Sequence, residues 1–262
     1  MHEDSLEGGI TNVGAVVRAG EHVLRPASPY ATSIHTFLRA IRVAGFDGAP
    51  MPIGIDSDRR ERLEFIDGDV PTSPYPGWSQ TDAALASIAK LLRRLHTGSL
   101  QFDPTGLEWS EDLADPAGGK LVCHNDVELS NIVFEDGVAI AFIDFEFAAP
   151  GRAIYDLAQF ARLCVPLEAD LDRARMGWQP ADRPRRLRLI ADEYGLDQAG
   201  RTALLAAIED ALDQIERLAK HNFELGEPAA LTMLSKTGGL EKYDRRREWW
   251  QRHRDEFEMA LD

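Results

Sequence analysis

The sequence predicts an α+β chain of two unequal lobes, a small β-rich one followed by a larger and mainly helical one. Three observations carry this. Short strand-like segments with Gly turns crowd the first 66 residues, the Pro/Gly-rich run DGDVPTSPYPGW interrupts the pattern at 67–78, and from 153 onward the apolar spacing is mostly helical. With 262 residues and 44% apolar content, the chain has ample core for one large domain or two small lobes. The expected division is 1–66 for the first lobe, a sheet plus a helix, and 67–262 for the second.

In order along the chain, Val13–Arg18 and His22–Arg25 read as two strands joined by a turn at Ala19-Gly20. In the next segment Ile34, Phe37, Leu38 and Ile41 share one helical face, and Gly45 is a stop signal. Strand-like pieces follow at Pro52–Ile55 and Arg62–Ile66. Past the linker, Thr81–His96 reads as an amphipathic helix through Leu85, Ile88, Leu91, Leu92 and Leu95. Residues 121–144 are β-like, with a hairpin signal at Asp136-Gly137. Helices are expected at 153–164, 182–194, 199–220 and 241–259.

Composition narrows the partners. Twenty-nine basic against 44 acidic residues give a net charge of −15, which repels a nucleic-acid backbone and leaves room for a cationic ligand. Two cysteines, Cys123 and Cys164, build neither a disulfide framework nor a CxxC metal site, which fits a reducing compartment. The N-terminus is acidic where a signal peptide is basic, and no apolar run approaches a membrane span. A cytoplasmic protein without nucleic-acid or membrane partners is the expectation.

The chemistry is concentrated in LVCHNDVELSNIVFEDGVAIAFIDFEFA, residues 121–148. It holds His124-x-Asp126-x₄-Asn131 and, thirteen residues later, Asp144 at the end of an apolar strand. If Asp136-Gly137 is a two-residue turn, Asn131 lies opposite Phe142, and Asp144 falls on the same face as Asn131. One amide and one carboxylate oxygen suit Mg²⁺, which keeps several waters and takes phosphate oxygens. A second carboxylate not spent on metal, Asp126, can hold and deprotonate an attacking hydroxyl. That division of labour is what phosphoryl transfer needs. His124 reads as a structural residue that fixes the loop, and Cys123 as a buried thiol.

This segment resembles the catalytic core of the aminoglycoside phosphotransferase family, which has a protein-kinase-like fold. His124-Asn125-Asp126 stands at the family's HGD-type loop, Asn131 at its Mg²⁺-binding Asn, and Asp144 at the metal-binding Asp of its DFG-like element. Asp156 in Gly151–Ala158 matches the helix residue that supports the loop, and Leu91–His96 matches the preceding helix. Glu64, Phe65 and Ile66 fall in the hinge, whose backbone contacts a purine. Gly8, Gly9 and Gly14 fall at a phosphate-covering loop, and Arg25 replaces the strand lysine that meets the α/β-phosphates. The resemblance covers roughly residues 8–165. It implies Asp126 as catalytic residue, Mg²⁺, and ATP or GTP as donor to a small-molecule hydroxyl.

Two departures stand out. The glutamate that pairs with the strand cation from the next helix is missing, since residues 26–46 contain no Asp or Glu, and His35 takes about its place. DFG has become Asp144-Phe145-Glu146. Nine acidic against three basic residues at 192–227 read either as a cleft for a polyamine-like sugar or as a solvated helix face. Glu128 could reach an acceptor amine, and Asp262 is placed near that cleft by the resemblance. Alternatives are a kinase of an amino alcohol, sugar or nucleoside, and a pseudokinase acting as a binding module.

Overall fold

The computed structural model describes residues 4–5 and 15–262. Five antiparallel strands, β1 (Asp4–Ser5), β2 (Val17–Ala19), β3 (His22–Pro26), β4 (Pro52–Ile55) and β5 (Arg60–Glu64), form one sheet in the order β1-β2-β3-β5-β4. The β2–β3 turn needs Gly20, whose φ is +66°. Of the expected first strand only Val17 and Arg18 are in β2, and Val13 lies outside the described residues. The strand expected at Arg62–Ile66 starts two residues earlier and ends at Glu64. Its alternation turns Glu61 and Leu63 to the buried side.

Helix α1 (Ala31–Val43) buries Ile34, Phe37, Leu38 and Ile41 as its spacing requires, and the chain leaves it through Gly45 at φ +92°. The larger lobe is built around α2 (Asp82–Ser99), whose first turn is capped by the Thr81 hydroxyl accepting from the Ala84 N–H at 3.1 Å. Two short sheets follow, β6 (Leu121–Cys123) with β9 (Ala149–Gly151), and the hairpin β7 (Ile132–Glu135) with β8 (Val138–Phe142). The remaining chain is helical: α3 (Ala153–Cys164), α4 (Asp170–Arg175), α5 (Arg183–Tyr194), α6 (Gln198–Glu224), α7 (Pro228–Thr237) and α8 (Glu241–Leu261). β9, α4 and α7 are elements the sequence pattern does not show.

One apolar core runs through both lobes, from Phe37 and Ile41 through Leu85, Ile88 and Leu92 to Phe142, Phe160, Ile208 and Phe257. Trp249 and Trp250 are buried in it, so their place is packing α8 onto the body. No helix among the described residues is long and apolar enough to cross a membrane.

After β5 the chain latches onto the hairpin: Asp69 and Phe134 exchange N–H···O bonds of 2.8 and 2.9 Å. Gly68, at φ +149°, makes this approach possible, because a Cβ there would sit 2.6 Å from both the Phe134 carbonyl oxygen and Val133 Cγ1. Gly68→Ala should therefore cost about 2 kcal/mol and lower the melting temperature by several degrees. An unchanged thermal melt would show that the segment relaxes without loss.

Candidate active site

The loop at 124–131 is held from below by Asp156, which lies on α3 and is fully buried. Its carboxylate accepts from the His124 N–H at 2.7 Å, the Asn125 N–H at 2.8 Å and His96 Nε2 at 2.9 Å. Burial alone would favour the protonated acid; the hydrogen bond and charge of His96 hold Asp156 below its ordinary range. These two loop N–H groups converge because Asn125 takes a left-handed φ of +65°, an unusual conformation outside glycine. Its amide then donates to the Phe147 carbonyl at 3.0 Å.

His124 is structural, as its neighbours indicate. Nε2 bonds the Ile143 carbonyl at 3.0 Å, which fixes the proton there and leaves Nδ1 to accept the Asp126 N–H at 3.3 Å. Burial lowers its pKa, so the ring stays neutral. The Cys123 thiol is buried as well, and burial pushes its pKa up, away from thiolate chemistry.

Asp126, Asn131 and Asp144 come together at the mouth of this loop. The Asn131 amide donates to Asp126 Oδ2 at 2.9 Å and to the Asp126 carbonyl at 3.0 Å, which leaves Asn131 Oδ1 without a hydrogen bond among the described residues. The hairpin register differs from expectation. An extra residue, Ile140, bulges β8, so Ile132 pairs with Phe142 and the Asn131 carbonyl accepts from the Ile143 N–H at 2.9 Å. Strand alternation alone would then separate Asn131 from Asp144. Asp144 instead leaves the strand at φ +61°, turning its side chain back toward the loop.

Burial, with like charge from Glu128 and Asp144, pushes the Asp126 carboxyl up to about 8. Glu128, bonded by the Ser130 hydroxyl at 2.5 Å, and Glu146, beside Asp144, are also raised, chiefly by burial.

Across the cleft, Arg25 reaches Asp144 Oδ1 with Nη1 at 2.6 Å and Glu61 Oε1 with Nε at 2.5 Å. The missing helix glutamate thus has a replacement from a different element. Arg25 and Glu61 are direct cross-strand partners on β3 and β5, and His35 of α1 bonds the other Glu61 oxygen at 2.8 Å. Burial disfavours both charges, but mutual attraction wins: Glu61 is lowered and Arg25 is raised. Sequence reasoning missed Glu61; the signal was its period-2 spacing with Leu63, which places it on the inner face.

The hinge matches are uneven. The Phe65 N–H is spent on the Glu21 carbonyl at 2.9 Å and the Glu64 carboxylate pairs with Arg42 at 3.0 Å. Ile66 uses neither its N–H nor its C=O among the described residues, so both of its backbone groups are open. Gly8, Gly9 and Gly14 lie outside the described residues. The acidic excess at 192–227 is largely committed elsewhere: Asp192 pairs with Arg201, Glu193 with Lys90, Glu209 with Arg254, Asp210 with Arg152 and Glu216 with Lys220, while Asp197 caps α6. Asp262, at the end of α8, contacts Gln198 at 3.3 Å.

A model of the phosphotransferase enzyme family matches residues 100–190, the stretch that carries this loop. Over its length the chain is similar to the trifolitoxin immunity protein of Rhizobium leguminosarum bv. trifolii, with 31% identity covering 97% of this chain and 96% of that protein. The chain belongs to the aminoglycoside phosphotransferase family. Its reaction class is that of the family, small-molecule phosphotransfer. Solved structures show the same protein-kinase-like fold. A choline/ethanolamine kinase family protein from Mesorhizobium loti superposes with TM-score 0.64 at 16% identity, covering 100% of this chain and 91% of that one. An amicoumacin kinase solved in complex with AMP-PNP, Ca²⁺ and Ami gives 0.64 at 13% identity, over 95% of this chain and 88% of that one.

The raised carboxyl of Asp126 has a cost in this phosphotransferase. In the unfolded chain the group ionises near 3.8, in the folded chain near 8, so its contribution to stability is full below pH 4 and is lost as pH rises toward 8. Asp126→Asn keeps an acceptor for Asn131 and removes the charge. Its melting temperature should match the native protein near pH 4.5 and exceed it by several degrees, about 1–2 kcal/mol, at pH 8. A less stable variant at pH 8 would contradict the assigned environment.

Proposed function

We propose that this phosphotransferase moves the γ-phosphoryl group of a Mg²⁺-bound nucleoside triphosphate, ATP or GTP, to a hydroxyl of a small molecule. The observation that carries the reading is the Asp126 carboxylate. One of its oxygens is fixed by Asn131 and the other remains available, within electrostatic reach of Asp144. The donor set fits the metal: Asn131 Oδ1 and Asp144 Oδ2 are hard oxygens free of hydrogen bonds among the described residues. When bound, Mg²⁺ would supply neutralising charge at the β- and γ-phosphate oxygens.

The chain's own residues do the rest. Asp126 orients the acceptor hydroxyl and takes its proton as the acceptor oxygen bonds to γ-phosphorus and the bond to the β,γ-bridging oxygen breaks. Arg25 meets phosphate charge from the opposite wall, and the Ile66 backbone offers one donor and one acceptor to the purine. Because Asp126 is held high, positive charge brought beside Asp144 also prepares it to act as a base, by lowering its pKa. The paired carboxylates argue against a catalytically inert binding module, since such a module has no use for Asp126 at this cost.

For the acceptor, Glu128 and Asp144 set carboxyl groups beside Asp126, which favours an amine-bearing hydroxyl compound. The similar trifolitoxin immunity protein is named for immunity to a toxin and the amicoumacin kinase for the compound it acts on, which supports a toxin-like small-molecule acceptor and a protective role. A metabolite acceptor such as an amino alcohol is the second reading, favoured by the fold of the choline/ethanolamine kinase family protein. Mg²⁺-dependent ADP or GDP release across aminoglycosides, other hydroxylated antibiotics, amino alcohols and sugars separates these. Release stimulated by one class, with Asp126→Ala at least about 10³-fold slower but nearly equal in nucleotide affinity, is the expected result. Stimulation undiminished in Asp126→Ala would remove Asp126 from the mechanism.

A further inference from the structure

The buried chain His35–Glu61–Arg25–Asp144 has its three contacts at 2.8, 2.5 and 2.6 Å, and its first three members are nearly inaccessible to solvent. Nothing in the phosphoryl-transfer chemistry touches Glu61 or His35. We propose that Glu61 of β5 is the positioning residue for the phosphate-facing Arg25, that His35 ties this carboxylate to α1, and that Glu61 keeps Asp144 available to a divalent cation by sharing the same guanidinium. The proposal rests on the phosphoryl-transfer reading given above.

A lysine presents one nitrogen, whereas a guanidinium presents three in a fixed plane. In Arg25 the three are divided: Nε is on Glu61, Nη1 is on Asp144, and Nη2 carries no hydrogen bond among the described residues. Anchoring Nε on a neighbouring strand sets the plane of the fork and thereby the direction of Nη2. The cross-strand position is suited to this, because directly opposed side chains start about 5 Å apart. A carboxylate there would itself be free to swing were its second oxygen not bonded, and His35 bonds it. Where the family couples the strand cation directly to its helix, this chain couples it through one additional side chain. His35 sits about where the helix glutamate is expected, but it touches Glu61 and not Arg25.

The sharing of Arg25 has a consequence for Asp144. With Glu61 present, the guanidinium is balanced by two carboxylates. Without it, Asp144 becomes the sole carboxylate hydrogen-bonded to Arg25, and a divalent cation must compete for that carboxylate against an undivided arginine.

The test is calorimetric titration of ADP at a series of Mg²⁺ concentrations, with thermal melts of the same samples. In Glu61→Gln, the Mg²⁺ concentration giving half-maximal ADP affinity should rise about tenfold while the unliganded protein stays folded. His35→Gln, which keeps a donor to Glu61, should stay near the native protein, and His35→Leu should shift in the direction of Glu61→Gln. A folded Glu61→Gln with native Mg²⁺ dependence overturns the proposal, whatever its melting temperature. If Glu61→Gln does not fold, equal Mg²⁺ dependence in His35→Gln and His35→Leu overturns it. Absence of ADP binding by the native protein at every Mg²⁺ concentration is a different result and overturns the phosphoryl-transfer reading itself.

Discussion

A carboxylate with no solvent contact is expensive to bury, and Asp156 is tolerated because three donors converge on its two oxygens. Donors and acceptor together come from three pieces of the site. His96 brings α2, the His124 and Asn125 N–H groups bring the loop, and the carboxylate itself is carried by α3. The second nitrogen of His96 bonds the Tyr194 hydroxyl at 2.7 Å, which extends the junction to α5. Loss of this one side chain would leave three donors unsatisfied in the core, so the loop conformation and the helix arrangement stand or fall together. The left-handed turn at Asn125 is maintained by the same bonds, which are what offsets its backbone cost.

From that junction the structure reaches the small lobe by two routes. The first is aromatic: the His124 ring lies 4.5 Å from Phe145, and Phe145 lies 6.3 Å from Phe37 of α1, which meets Phe102 edge-on at 5.3 Å. The second is ionic, from Asp144 through Arg25 to Glu61 and His35, again ending on α1. Position 144–145 therefore sends its charged residue along one route and its apolar neighbour along the other. Helix α1 is the common terminus, which gives the small lobe a defined orientation over the cleft.

Much of this was legible in the sequence, and the exceptions have physical reasons. Helix 153–164 and strand Pro52–Ile55 were readable to the residue, because apolar spacing and turn residues agree there. The placement of His124, Asp126, Asn131 and Asp144 was readable because a single motif spaces them along a loop and a strand, and Asp156 was readable only through the family resemblance of Gly151–Ala158. Glu61 was not, since Arg60-Glu61-Arg62 looks like a solvated charged strand until pairing with β3 sets Glu61 opposite Arg25. The bulge at Ile140 has no Gly or Pro to announce it, so the register of Asn131 was off by one. The acidic run at 192–227 pairs with arginines and lysines from distant segments, Lys90, Arg152 and Arg254 among them, which no local pattern reveals. Helix α4 has six residues, too few for a periodic signal.

Asn131 and Asp144 are proposed to form a divalent-cation site that works together with nucleotide. Mn²⁺ in place of Mg²⁺ makes that site visible by electron paramagnetic resonance, since free and bound Mn²⁺ give distinct signals. With ADP present, Mn²⁺ is expected bound to the native chain and released to the free signal in Asp144→Ala. Bound Mn²⁺ that survives Asp144→Ala, or Mn²⁺ that stays free beside saturating nucleotide, would contradict it.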